Sequence, residues 1–132
     1  MSEEQVEVVR EHIEAYRRQD ASVALSCMDP HAVLDMSRID GSDPSHGHEA
    51  IDGAVTRYRG AFDDYDYKVE RLTDLGSGAI LAVVTEIGCG KGSRVPVNRR
   101  FATLYTLIDG KIVRVTQFGT EQDALEAVGL RE

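Results

Sequence analysis

The sequence lacks long hydrophobic runs and has few cysteines. Its longest apolar run, Ala79 to Val84, is far too short to cross a bilayer, so we expect no membrane partner. The acidic opening, Met1 to Gln5, is unlike the basic start of a signal peptide, which favours a cytoplasmic location. The two cysteines, Cys27 and Cys89, lie far apart, so we expect reduced thiols and no cysteine-based metal or redox motif.

Positive charge is also scarce. The chain has 15 Lys and Arg residues against 23 Asp and Glu residues, a formal net charge of −8. Proteins that bind nucleic acid usually carry basic surfaces. The one basic cluster, Arg94, Arg99 and Arg100 with Lys91 nearby, is short and fits a solvated strand edge better than a phosphate site. We therefore expect no nucleic-acid partner.

What the sequence does contain is the composition of a globular domain. Its 132 residues are 42% hydrophobic and 29% charged, which is typical of neither a disordered nor a membrane protein. A chain of this length can bury one core and a modest cavity. No repeat or linker interrupts it, so residues 1–132 are predicted to form a single domain.

Helical spacing of apolar residues dominates the first half of the chain. The stripe Val6, Val9, Ile13, Tyr16 predicts a first helix that ends near Gln19. A short second helix over residues 21–28, a strand over 31–37 and turn residues at 41–45 are predicted to follow. A third helix then begins near residue 48, with apolar residues along one face.

The period changes to two from residue 65 onward. Alternation of Tyr65, Tyr67 and Val69 with charged residues predicts a strand. Further strands are predicted over 79–87, 95–108 and 111–118, with Asp109-Gly110 as a two-residue hairpin turn before a short closing helix. Helices kept apart from an antiparallel meander define an α+β fold.

The long strand at 95–108 has two partly apolar faces. We assign its even-numbered face, which includes Arg100, to the interior, and its odd-numbered face to the outside. A second copy of the chain is predicted to cover that open sheet face in a homodimer. The alternative is that the closing helix covers its apolar residues Phe101, Tyr105 and Leu107.

Four short sequence segments, taken in their order along the chain, resemble SnoaL-like proteins of the superfamily named for nuclear transport factor two and ketosteroid isomerase. The segments are Glu7 to Asp20, Gly47 to Ile51, Asp109 to Arg114 and Asp123 to Leu130. The resemblance implies a cone-shaped fold: three N-terminal helices packed on a strongly curved, mostly antiparallel sheet, a short C-terminal helix, and a pocket at the wide end. It also implies a homodimer. The members of this superfamily range from isomerases, cyclases, dehydratases and hydrolases to proteins that catalyse no reaction.

The catalytic positions of ketosteroid isomerase do not match this sequence. That enzyme uses a tyrosine on its first helix, an aspartate base on its first strand and an acid on a later strand. Alignment by hand on Asp20 and Lys111 places these positions on His12, Met36 and Leu104. Because a methionine cannot accept a proton, the isomerase mechanism is not expected with these residues.

Two other residues are candidates for acid–base catalysis. His12 lies beside the apolar stripe of the first helix and has an ordinary pKa near neutrality, so it is a candidate proton carrier. The alternative is a structural histidine bonded to the backbone or to water. Asp35 is the acid nearest the expected base position; alternation points it away from Met36, and a register slip of one residue would turn it into the pocket.

A further set of polar and apolar residues is predicted to bind the ligand. The candidates are Tyr16, Met36, Tyr58, Glu86, Arg100 and Gln117. Glu86 interrupts an apolar run, and we predict that it pairs with Arg100 on the neighbouring strand, either as a ligand anchor or as a structural pair. Tyr16, Tyr58 and Gln117 have equally ordinary structural roles as core or sheet residues.

The sequence indicates no cofactor. His31, His46 and His48 lack an acid or cysteine at a metal-site spacing, so no metal site is predicted. We expect a small, largely apolar ligand, handled by cofactor-free acid–base chemistry of isomerase, cyclase, dehydratase or hydrolase type. The alternative is a non-catalytic dimeric ligand-binding or accessory module.

Overall fold

The computed structural model of the chain describes residues 2–129. The helices are α1 (Ser2–Arg17), α2 (Ala21–Ser26), α3 (Ser37–Asp40), α4 (His48–Arg59) and α5 (Glu121–Ala127). The strands are β1 (Met28–Asp35), β2 (Ser45–His46), β3 (Phe62–Gly76), β4 (Ala79–Gly90), β5 (Pro96–Ile108) and β6 (Lys111–Phe118). Leu130, the last residue of the final segment that resembles the family, lies outside the described residues. No helix within residues 2–129 is long and apolar enough to cross a membrane.

The six strands form one mixed, unclosed sheet in the order β2-β1-β6-β5-β4-β3. β1 runs parallel to β6, and the other neighbours are antiparallel. The register of β3 against β4 shifts at three places, between residues 63 and 66, 69 and 71, and 74 and 76. Because such irregularities bend a strand and increase its twist, they account for the strong curvature of the sheet at this edge. The predicted α+β cone fold is confirmed.

Two short elements are absent from the sequence-based prediction. The one-turn helix α3 and the two-residue strand β2 lie on either side of the turn that we predicted at residues 41–45. α3 ends at Gly41 in the left-handed conformation, with φ of 75°. Elements of four and two residues are too short to show a hydrophobic period, so the sequence carries no clear signal for either.

The core divides between the two faces of the sheet. On the concave face, Ile80, Ala82 and Val84 of β4 pack with residues of α1. On the convex face, Leu81 packs in a separate cluster with Ala124 of α5. The continuous apolar run of β4 is therefore explained by helices on both sides of the strand.

The predicted orientation of β5 is wrong. Phe101, Tyr105 and Leu107 belong to the concave core, and not to an outer face. The even-numbered residues Ala102 and Leu104 lie on the convex face, in the cluster that includes residues of α5. The closing helix thus covers apolar residues of β5, but on the face opposite to the one we proposed. Strand alternation separates two faces without saying which one is interior when both are partly apolar.

Candidate functional site

A cavity of about 130 Å³ lies between the concave face of the sheet, α1 and α4. Its wall is largely apolar and aromatic. The apolar lining includes Ile13, Met28, Leu34, Met36, Ile51, Val84 and Val115. The aromatic lining comes from Tyr16, Tyr58, Tyr65, Tyr67, Phe101 and Tyr105. Small-molecule sites are typically concave, apolar and supplied with a few polar groups, and this cavity has that character.

His12 of α1 and Tyr105 of β5 are the most buried titratable groups in the cavity wall, and each is 6% exposed. The Nδ1 atom of His12 lies 2.8 Å from the carbonyl oxygen of Ala24. A carbonyl can only accept, so Nδ1 carries the proton. Burial lowers the pKa of His12 from its ordinary value, and the hydrogen bond to Ala24 opposes that shift only in part. The ring is therefore neutral near pH 7, with a lone pair on Nε2.

That second nitrogen faces the cavity. Among the described residues, no hydrogen bond involves Nε2 of His12. Every fully buried side-chain nitrogen or oxygen in these residues does have a partner, so Nε2, which has none, cannot be fully buried. Because His12 lines the cavity, we infer that Nε2 is accessible to a ligand there. Tyr16 and Tyr105 hold the imidazole edge-on, with ring centroids 5.3 Å and 5.9 Å away.

Three polar side chains of β5 and β6 line the cavity without a side-chain hydrogen bond to any other residue of the range 2–129. They are Thr103, Tyr105 and Gln117. Thr103 and Gln117 are direct cross-strand neighbours, so their side chains lie on the same concave face. Within residues 2–129 no hydrogen bond of the Tyr105 hydroxyl is present, and burial raises the pKa of this phenol. The hydroxyl therefore stays protonated and is free to donate to a ligand.

A buried carboxylate lies behind the aromatic wall of the cavity. Glu86 is fully buried and accepts hydrogen bonds from the hydroxyls of Tyr58 at 2.8 Å and Tyr65 at 2.6 Å. The Nε atom of Arg99 donates to the same carboxylate at 2.7 Å, and Arg99 also contacts the Tyr58 hydroxyl. Burial, followed by the bond to Glu86, raises the pKa of Tyr58. The carboxylate is thus saturated by its neighbours.

The sequence comparison fits this geometry. The sequence profile of the SnoaL-like domain matches residues 9–115, which is most of the chain. The chain belongs to the SnoaL-like domain family. No protein of curated function matches the sequence.

Solved structures resemble this SnoaL-like chain over nearly its whole length. TerC, co-crystallized with polyporic acid, is 15% identical with a TM-score of 0.78, and the match covers 96% of this chain and 98% of TerC. A proposed SnoaL-like polyketide cyclase from Jannaschia sp. CCS1 is 18% identical with a TM-score of 0.79, covering 96% and 91%. A hypothetical protein from Catenulispora acidiphila, with a ketosteroid isomerase-like fold and bound trimethylamine, is 17% identical with a TM-score of 0.74, covering 94% and 93%. At these identities the likeness shows the fold alone.

The structure brings five of the predicted residues of this SnoaL-like domain to the cavity wall. They are His12, Tyr16, Met36, Tyr58 and Gln117. The Tyr16 hydroxyl donates to Asp52 at 3.3 Å, and burial followed by that carboxylate raises the pKa of Tyr16. Glu86 lies behind the wall and contacts it through Tyr58 and Tyr65.

Two predicted residues lie elsewhere. Arg100 is not on the cavity side, and its ion pair at 3.1 Å is with Glu70; Arg99 takes the predicted place beside Glu86 because the odd-numbered face of β5 is the interior one. Asp35 does not line the cavity either. Its carboxylate accepts from Ser37, which lowers the pKa of Asp35, and pairs with Arg114 at 2.9 Å. The alternation of β1 holds, and the register slip that would turn Asp35 inward does not occur.

Several residues of the SnoaL-like cavity were not predicted from the sequence. Thr103 and Tyr105 were assigned to the wrong face, and Tyr65, Tyr67 and Arg59 were not considered as site residues. The alternation of Tyr65 and Tyr67 was a usable signal, since two aromatic residues on one strand face mark a buried wall. Nothing in the sequence singles out Arg59.

The histidines outside the cavity have other surroundings. The Nε2 atom of His48 lies 3.1 Å from the carbonyl oxygen of Met28, which ties the start of α4 to β1. In the described part of the chain, no three His, Cys, Asp or Glu side chains are grouped closely enough to share a metal ion.

Proposed function

We propose that this SnoaL-like protein binds a small, largely apolar, ring-containing molecule in the cavity and that His12 accepts a proton from it. The observation that carries the proposal is the unpartnered Nε2 of a buried, neutral imidazole at an apolar cavity. A neutral imidazole with an open lone pair is already in the form that a general base needs.

The size of the cavity indicates the scale of the ligand. Its volume of about 130 Å³ compares with the roughly 150 Å³ of an apolar protein cavity that binds benzene. The enclosed volume therefore matches a single ring, and a polar extension on that ring would have to lie at the rim of the cavity. The complexes of TerC with polyporic acid and of the Catenulispora protein with trimethylamine support small molecules as the ligand class for this fold.

The polar groups around His12 suit transfer of one proton. An acidic C–H or O–H of the ligand would give its proton to Nε2 of His12, and its electron pair would stay on the ligand. The Tyr105 hydroxyl and the Gln117 amide are the donors available to an oxygen that gains charge. Return of the proton at another atom of the ligand gives an isomerisation. If the ligand carries a β-hydroxyl, that hydroxyl leaves as water by taking the proton from His12, and the electron pair on the ligand forms the new double bond, which gives a dehydration.

A second candidate function is binding without chemistry. It is favoured by one observation: none of the residues that line the cavity is an aspartate or a glutamate, and the nearby Glu86 is occupied by three donors. In that case His12 would only donate and accept hydrogen bonds, and the ligand would leave unchanged.

The first test is native mass spectrometry of protein purified gently from its own host. A discrete small adduct identifies the ligand, which is then incubated with the wild type, His12→Asn and His46→Asn. Asparagine places a donor near the Nδ1 position and has no counterpart of Nε2. The exposed His46 gives the same substitution away from the cavity.

The two functions predict different results in that experiment. If His12 is the base, His12→Asn binds the ligand but converts it at least about a hundredfold more slowly, the usual size of a general-base contribution, and His46→Asn behaves as wild type. Recovery of unchanged ligand from the wild type would instead support the binding module. Failure of every adduct and ring-sized probe to bind would contradict both functions.

The homodimer through the open sheet face and the cytoplasmic location also stay proposals. For the dimer, support comes from the family resemblance rather than from an apolar patch. Among the described residues, the most exposed large hydrophobic side chains are Val95, at 59%, just before β5, and Ile108, at 60%, at the other end of that strand, so they form no single patch. The mass in the same native spectrum tests the dimer: a monomer at micromolar concentration would contradict it.

A further inference from the structure

We propose that the ligand of this cavity carries a carboxylate and that Arg59 binds it at the cavity rim. This inference rests on the proposed function, since it names the chemical class of the molecule that the cavity takes. Arg59 is the last residue of α4 and belongs to the cavity lining.

The backbone of α1 fixes the position of the Arg59 side chain. Its two terminal nitrogens donate to the carbonyl oxygens of Tyr16, at 2.9 Å, and Arg17, at 3.3 Å. The guanidinium carbon lies 5.4 Å from the centroid of the Tyr65 ring, a stacking contact on the aromatic wall. Two of the five guanidinium N–H groups are therefore used, which leaves three for a ligand.

No carboxylate of the described residues lies within 4 Å of this guanidinium. The acidic groups around it have other partners. Asp66 is held by Arg17 through two hydrogen bonds of 2.8 Å and 3.0 Å, and Asp52 accepts from Tyr16. Glu86, behind the aromatic wall, is held by Arg99. The bonds from Arg17 lower the pKa of the nearby Asp66 and Arg59 lowers it further, but Arg59 forms no ion pair of its own within residues 2–129. It is thus a half-buried, pre-positioned cation with no carboxylate in direct contact among these residues.

A second groove adjoins the cavity at Arg59. This groove shares Tyr16, Val55 and Arg59 with the cavity, and its remaining lining is mostly polar, including Gln19 and Asp52. A ligand with its ring in the apolar cavity would therefore present its polar end at the rim, where the planar guanidinium matches the two oxygens of a carboxylate.

The overall charge makes a specific test feasible. With a net charge of −8 the protein repels anions in general, so any preference for an anionic ligand must come from a local site. Benzoate and benzamide are suitable probes, because they have the same shape and differ in charge. Their affinities are measured by titration calorimetry or ligand-observed NMR.

We expect the wild type to bind benzoate at least about tenfold more tightly than benzamide, as one charge-assisted bidentate contact implies. Arg59→Gln removes this preference: benzoate affinity falls at least about tenfold, whereas benzamide affinity falls much less, because benzamide loses one neutral hydrogen bond and no charge pairing. Retained binding of benzamide also shows that the cavity is intact. Arg57→Gln removes the same charge two residues earlier, outside the cavity lining, and keeps the preference. Arg59→Lys, which retains the charge but not the planar fork, keeps part of it.

Equal binding of benzoate and benzamide by the wild type would overturn the role of Arg59 and leave the ring-binding cavity in place. An equal loss of the benzoate preference in Arg57→Gln and Arg59→Gln would also overturn it, because it would reduce the effect to net charge. Failure of both probes to bind would contradict the proposed function itself, and this inference with it.

Discussion

The Nδ1 atom of His12 and the carbonyl oxygen of Ala24 form a 2.8 Å hydrogen bond that ties α1 to α2. Ala24 is fully buried, and its carbonyl oxygen also accepts from the backbone N–H of Cys27 at 3.3 Å. The bond from His12 is therefore the second one to this carbonyl, and it determines which ring nitrogen of His12 is left for the cavity.

The burial of His12 predicts a loss of stability in mild acid. Burial lowers the pKa of His12 below the ordinary 6.5. As the pH falls through about 6.5, the unfolded chain therefore takes up a proton that the folded chain does not, and the free energy of unfolding decreases. His12→Asn keeps a donor toward Ala24 and removes this titration. Urea unfolding between about pH 7 and pH 5 should show a shallower decrease in His12→Asn than in the wild type.

His46→Asn is the control for that measurement, because it replaces an exposed histidine. We expect it to keep the wild-type slope. A slope for His12→Asn equal to that of the wild type would show that His12 does not titrate differently in the two states.

Removal of the charge on Glu86 should destabilise the fold. Glu86 is fully buried and holds Tyr58, Tyr65 and Arg99. Glu86→Gln weakens these charge-assisted bonds and should lower the free energy of unfolding by about 1–3 kcal/mol, and Glu86→Leu by more, since it leaves donors unpaired. Chemical denaturation checks this. Glu70→Gln, which removes an exposed carboxylate from the convex face, should change stability little; an equal loss there would argue against burial as the cause.

Two glycines in hairpin turns should respond differently to alanine. Gly78 and Gly110 have almost the same φ, +81° and +78°. A Cβ at Gly78 would lie 2.5 Å from the carbonyl oxygen of Leu107, whereas one at Gly110 meets nothing within 4 Å. Gly110→Ala should therefore lower the free energy of unfolding by about 1 kcal/mol from the left-handed backbone alone, and Gly78→Ala by about 2–4 kcal/mol. Thermal and chemical unfolding test the difference; equal losses would mean that β5 shifts to relieve the contact.

Two tyrosines of the cavity wall should respond differently to substitution by phenylalanine, because only one of their hydroxyls is hydrogen-bonded within the described protein. The Tyr67 hydroxyl donates to the carbonyl oxygen of Ile13 at 3.0 Å, so Tyr67→Phe should cost about 0.5–1.5 kcal/mol of stability. The Tyr105 hydroxyl has no such bond in the described chain, so Tyr105→Phe should leave stability unchanged and weaken binding of oxygen-containing ligands. A clear loss of stability in Tyr105→Phe would show a structural role for its hydroxyl.

Much of the fold follows from local patterns. The stripe through Val9 and Ile13 predicted α1, and the two-residue period predicted β3. The hairpin at Asp109-Gly110 was predicted from the dipeptide, and both residues have positive φ, 51° and 78°, as the favoured hairpin turn requires. Such features depend on a few neighbouring residues, which is why the sequence reveals them. The order of the family-like segments likewise predicted the cone fold.

Which residues meet in the cavity was decided by the tertiary structure. Alternation in β5 separated Arg99 from Arg100, but only the packing of the distant α1 on the odd-numbered face made Arg99 the partner of Glu86. Arg59 shows the same limit, because its partners are carbonyls of α1 more than forty residues away. By itself, the sequence determined the elements and their order, since these depend on local periodicity and turn chemistry. The interior face of the sheet and the partners of each charge depend on long-range packing, which only the folded chain fixes.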